Sequence, residues 1–224
     1  LCYNDETCNE GFECVNDRCE PSNSQGGKGT TSDGGVEDFY CVWSPVEQQE
    51  ECVYQDYSFG YNLMWQGCMS GGQGRDCSAL EWVGSHQPEA ITYCEELSWG
   101  GFTDWRLPNI DELRSLIRGC ANSEYGSSGC PITHQCSYST NNVNTCGADS
   151  CLGDPICSYG SGLRNDGCYL PEDLPGACTY AWSSSLWGES APHDVGFQDG
   201  SVWKNTIDLS SVRCVRAPND PDHD

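Results

Sequence analysis

The chain has 224 residues, of which 18 are cysteine, and 34 carboxylates against ten lysines and arginines give a formal net charge of −24. Such a field repels nucleic acid, anionic membrane and sulfated polysaccharide over most of the surface. An even, dense cysteine set belongs to an oxidising compartment, and with no C-x2-C pair and only four histidines a zinc framework is excluded in favour of disulfides. The expectation is a secreted, extracellular protein with a small core. Eight Trp and eleven Tyr supply its large buried surfaces, and cross-links reduce the entropy of the unfolded chain. No apolar run is long enough to span a membrane, and Leu1 reads as a processing point.

In chain order, residues 1–20 form a small disulfide-rich module resembling short EGF-like or knotted units, with Cys2, Cys8, Cys14 and Cys19. Four cysteines allow about three connectivities, of which Cys2–Cys14 with Cys8–Cys19 is favoured. Residues 21–35, rich in Gly, Ser and Thr, read as a flexible linker. Residues 36–217 read as one domain, and 218–224 as an acidic tail. Within the domain, strands are expected at Phe39–Trp43, Asn62–Gln66, Tyr180–Ser184, Val195–Gln198, Val202–Asn205 and Val212–Arg216, with Asp199-Gly200 as a two-residue hairpin turn. A helix is expected from Pro88 to Ser98, closed by Gly100-Gly101. A second is capped by Asn109 with Glu112 three residues on, buries Ile110, Leu113 and Ile117, and ends at Gly119. Two helices among antiparallel strands make an α+β fold. The stretch 119–179 has almost no periodicity but contains eight cysteines, so it reads as a long disulfide-stapled loop insert where a partner would meet the protein.

Several of these segments carry a resemblance. The runs Asn62-Leu63-Met64-Trp65-Gln66, Gly101-Phe102-Thr103-Asp104-Trp105-Arg106-Leu107-Pro108 with Asp111-Glu112-Leu113, Ala181-Trp182-Ser183-Ser184-Ser185 and Val212-Arg213-Cys214-Val215-Arg216 occur in an order that resembles the Lcl C-terminal domain family, the terminal domain of a bacterial collagen-like adhesin. The resemblance implies a C-type-lectin-like fold in which Trp105, Arg106, Leu107, Pro108, Glu112 and Leu113 define the bend and helix. It also implies a disulfide from the first helix to the last strand, Cys94–Cys214. Adhesion or glycan binding, often as a homo-oligomer, follows from it. Two departures stand out. The adhesin's sulfated glycosaminoglycan ligand needs a cationic surface that this chain lacks, and the lectin calcium motifs are missing from the long loop. Trp203-Lys204-Asn205 with Asp208 only loosely resembles a lectin calcium strand, so calcium is the one cofactor candidate and none is assigned.

No nucleophile elbow, zinc-protease helix or phosphate loop occurs, so no enzyme is expected. Arg106, Arg213 and Arg216 are expected to pair with carboxylates near the core. The candidate ligand rim is Trp187, Glu189, His193 and Asp194, together with Trp203 and Asn205, because an exposed Trp beside carboxylates suits a sugar ring and its hydroxyls. The expected function is bacterial cell-surface recognition or adhesion, with glycans or another surface ligand as partner. The alternative is a self-assembling structural subunit of an extracellular filament, sheath or surface layer.

Overall fold

The computed structural model describes residues 12–15, 18–21, 28–30, 36–78, 83–134, 157–187, 191–204 and 209–217, with backbone alone before Phe39 and at Trp187. Strand β1 (Phe12–Val15) pairs with β2 (Arg18–Pro21), setting Cys14 opposite Cys19. Cys2 and Cys8 lie outside the described residues. A five-stranded antiparallel sheet follows in the order β10-β6-β5-β4-β3. Its strands are β3 (Lys28–Thr30), β4 (Val36–Ser44), β5 (Gln49–Asp56), β6 (Leu63–Gln66) and β10 (Val215–Arg216). Strand β3 falls within the segment read as a linker. A three-stranded antiparallel sheet runs in the order β7 (Tyr180–Trp187), β8 (Ala191–Gly196), β9 (Ser201–Lys204).

The described fold is therefore mostly β, which corrects the expected α+β, C-type-lectin-like class. Its helices are small: α1 spans Gln87–Glu95 and α2 only Ile110–Arg114. The capping box of α2 forms as its residues dictate, with Asn109 accepting from the Glu112 amide and Glu112 accepting from the Asn109 amide. The helix nevertheless stops early. Leu116 and Ile117 donate to the carbonyls three residues back, and the Arg118 amide leaves the helix for Tyr169 O at 2.8 Å. Ile110, Leu113 and Ile117 are all buried, so the apolar stripe is real but is delivered by one short helix and a tight turn.

Strand β5 is the element that local pattern does not reveal. Cys52, Val53, Tyr54 and the polar Glu51, Gln55 and Asp56 are all buried, with no alternation of apolar and polar residues. The reason is that the sheet is covered on both faces. Cys52, Tyr54, Leu63 and Trp65 enter one apolar cluster with α2, whereas Val53 and Met64 enter a second with Ala90, Trp99, Trp105 and Trp182. Glu51 Oε2 accepts from the distant Gly100 amide at 2.7 Å, whereas Gln55 Nε2 donates to the nearby Asn62 and Leu63 O and Asp56 Oδ1 accepts from the Ser58 amide. Cys41 lies directly opposite Cys52 across β4–β5 and is bonded to it.

The turn between β8 and β9 has four residues, 197–200, closed by the Gly196–Ser201 pair, where a two-residue turn was expected. Asp199 Oδ1 accepts from both the amide and the hydroxyl of Ser201, at 3.0 and 2.5 Å, and Gly200 takes φ +68°. The aspartate thus builds an Asx-type turn, which needs the extra residues.

Candidate functional site

The motif Trp105-Arg106-Leu107-Pro108 is a buried corner. Trp105 donates to the carbonyls of Trp99 and Phe102, and Pro108 O accepts from the Ser184 amide at 2.7 Å. Arg106 forms a fork with Glu112, at 2.8 and 2.5 Å, so the same carboxylate that caps α2 also fixes the corner. Leu107 and Leu113 are buried beside it. Cys94 of α1 is bonded to Cys214, Cys120–Cys157 cross-links the two described flanks of the insert, and Cys168–Cys178 closes a short loop within the second flank.

Arg216 pairs with Asp104 in a fork, at 2.7 and 2.9 Å, and stacks on Phe102. Arg213 does otherwise than expected. It is fully buried and donates to three carbonyls, Gln66 O, Gly67 O and Pro175 O, with no carboxylate of the described residues in its ion-pairing range. Burial pulls its pKa down to about 9, with Arg164 adding to the effect. Irregular segments leave carbonyls that no sheet or helix satisfies, and a guanidinium supplies donors in a fixed fork. Arg114 does the same on the other flank, donating to Ser123 O, Glu124 O, Cys130 O and Ile132 O.

Two residues of the expected ligand rim are buried. His193 and Asp194 are each 1% exposed on β8. His193 Nδ1 lies 3.3 Å from Trp203 O, and Asp194 Oδ2 accepts from Ser210 at 2.7 Å. Burial holds the His193 imidazole at a pKa of about 4, so it is neutral at pH 7. These residues lie on the central strand of a sheet, not in a loop, and burial is continuous from His193 to Gly196, so both faces of β8 are covered. Trp203 is 37% exposed and donates to Ser201 Oγ. Trp187 ends β7 opposite Ala191, and Glu189 and Asn205 lie outside the described residues.

A different surface has the character of a binding site. After β5 the chain turns through a single 3-10 turn, Ser58–Gly60, in which Phe59 adopts φ +55°, ψ 22°. The left-handed region is unfavourable for a bulky L-residue, and such strain concentrates at functional positions. The strained residue is not buried: Phe59 is 38% and Tyr57 44% exposed. The Phe59 ring meets Tyr125 edge-on at 5.7 Å, and Tyr125 packs on Tyr61 at 5.3 Å. Three aromatic side chains thus form a half-exposed ledge, two from the turn after β5 and one from the insert.

The ledge is held from below. Arg118 lies over the Phe59 ring at 5.7 Å, donates to Ser58 Oγ at 2.9 Å and sits 3.6 Å from Asp56. Asp56 Oδ1 in turn accepts from the Ser58 amide at 2.8 Å, which fixes the turn that carries Phe59. On the other side, Arg114 grips the carbonyls of Ser123 and Glu124, the residues just before Tyr125. Leu163, 73% exposed, leans on Gly119, where a Cβ would come within 2.7 Å of it. Sequence reasoning missed this ledge because its halves come from distant segments. The available signal was Tyr57-Ser58-Phe59-Gly60-Tyr61, three alternating aromatics about a glycine.

The family model of the Lcl C-terminal domain matches residues 55–216, a span that contains the corner motif, the insert and all three ledge aromatics. No curated protein and no solved structure matches the chain. The chain belongs to the Lcl C-terminal domain family.

Proposed function

We propose that this domain is the recognition part of an exported surface adhesin, and that the Phe59–Tyr61–Tyr125 ledge stacks against a saccharide ring. The family supports the adhesin-type role. The observation that carries the site is Phe59, a bulky aromatic kept in left-handed backbone with its ring part-exposed among two tyrosines. A pyranose presents C–H bonds on one face and hydroxyls around its rim. A rigid aromatic ledge with phenol hydroxyls at its edge complements both, at little cost in side-chain entropy. The ligand would be held by stacking, with no metal or covalent step required.

The test is binding of the purified protein to an immobilised glycan panel, repeated with Phe59→Gly and Tyr125→Ala. Binding of wild type to at least one saccharide, lost in both variants while Trp203→Ala retains it, supports the reading. Silence across the panel, or binding that both variants retain in full, overturns it.

A further inference from the structure

Resting on that reading, we infer that the ledge takes an uncharged saccharide and rejects sulfated and uronic-acid chains. A polyanion-binding site needs cationic side chains with donors turned to solvent. The cations around this ledge are turned inward. Arg118 lies over the Phe59 ring, yet its side chain is only 12% exposed. Its donors go to Ser58 Oγ and to the carbonyls of Ser115 and Ile117, with Asp56 beside it. Arg114, beneath Tyr125, is 1% exposed and donates to four backbone carbonyls. Arg164, next in sequence to the exposed Leu163, forks onto Asp166 and also donates to Leu174 O and Gly176 O.

Two carboxylates, Asp111 and Glu112, also act on the ledge's Tyr61 phenol. The Tyr61 hydroxyl is pushed far above the ordinary phenol range, chiefly by burial and its hydrogen bond to Tyr125, with the carboxylates Asp111 and Glu112 adding to the shift. The Asp111 carboxyl is itself pushed up, chiefly by burial, with Glu112 contributing and His134 and Arg114 opposing. The phenols of Tyr61 and Tyr125 are neutral donors and acceptors, which suits hydroxyl groups and not anions. The overall charge of −24 extends the same preference to long range.

The experiment compares one neutral polysaccharide that binds in the panel with its chemically sulfated derivative, by surface plasmon resonance on immobilised protein. Salt is varied between about 0.05 and 0.5 M, which shortens the Debye length several-fold. The neutral chain is expected to bind at least about tenfold more tightly than the sulfated one, with little salt dependence, and Phe59→Gly is expected to abolish the signal. Tighter binding of the sulfated chain that still depends on Phe59 and weakens with salt overturns this inference and leaves the ledge standing. Binding of either chain that does not depend on Phe59 overturns both. Unfolding curves of the variant in the same buffer separate lost recognition from lost fold.

Discussion

Phe59→Gly and Phe59→Ala separate the two costs that meet at the ledge. At φ +55° a non-glycine residue carries roughly 1–2 kcal/mol of backbone strain, which glycine relieves and alanine does not. Both substitutions remove the edge contact with Tyr125, about 0.5–1.5 kcal/mol, and the cation contact with Arg118, about 0.5–1 kcal/mol. Relief and loss nearly cancel in the glycine variant, whose stability is expected within about 1 kcal/mol of wild type by these terms. The alanine variant is expected to fall about 1–2 kcal/mol below the glycine one. Urea unfolding under non-reducing conditions, with equal m-values across the three proteins, measures the difference. If glycine is no more stable than alanine, the left-handed turn is not the conformation in solution. If both variants lose several kcal/mol and still bind saccharide, the ring is packing and not a binding surface.

Three further expectations follow from groups elsewhere in the fold. His193 has a folded pKa of about 4 against 6.5 unfolded, so above pH 6.5 it is neutral in both states. As pH falls from 6.5 towards about 4 the unfolded chain takes a proton that the folded one refuses, and stability drops by roughly 3 kcal/mol at most. His193→Gln should flatten that window in pH-resolved urea titrations, and an unchanged slope would show that the imidazole is not buried neutral. Arg114→Met leaves the carbonyls of Ser123, Glu124, Cys130 and Ile132 without their shared donor, with an expected loss of about 3–5 kcal/mol and faster amide exchange over 119–134. Local exchange unaltered by the substitution would contradict the role given to that arginine. The Cys94–Cys214 bond closes a loop with a sequence separation of 120, so replacing both cysteines by alanine should cost on the order of 4–5 kcal/mol by loop-closure entropy. A change below about 1 kcal/mol would mean that the unfolded chain is held compact by the remaining bonds.

Features written in neighbouring residues were legible. Asn109 and Glu112 cap α2 because both halves of a capping box lie within one turn, and Arg106 finds Glu112 six residues on. Features set by distant partners were not. Glu51, Gln55 and Asp56 disguise β5, since their acceptors and donors lie on Gly100, Asn62 and Ser58 and only the folded chain brings the first of these near. The length of α2 was overread because the stripe from Ile110 to Ile117 fits a helix as well as it fits a short helix and a turn. The fold class failed on the same ground, with α2 shorter than drawn and β5 added. Arg213 went to carbonyls instead of a carboxylate because the irregular chain at Pro175 and the end of β6 leaves acceptors that no ladder fills. His193 and Asp194 were placed on a rim because the Gly and Pro residues around them resemble a loop, whereas β8 lies between two other strands. The ledge joins Phe59 and Tyr61 to Tyr125 across the insert, a proximity that no local pattern encodes.

The most direct test of the ledge is calorimetric titration of a binding neutral oligosaccharide into wild type and into Phe59→Gly, both shown to be folded by their unfolding curves. The expected result is saturable binding to wild type and a loss of at least about tenfold in affinity for the variant, equivalent to 1.4 kcal/mol or more. Equal affinity of the two proteins would contradict a binding surface at Phe59.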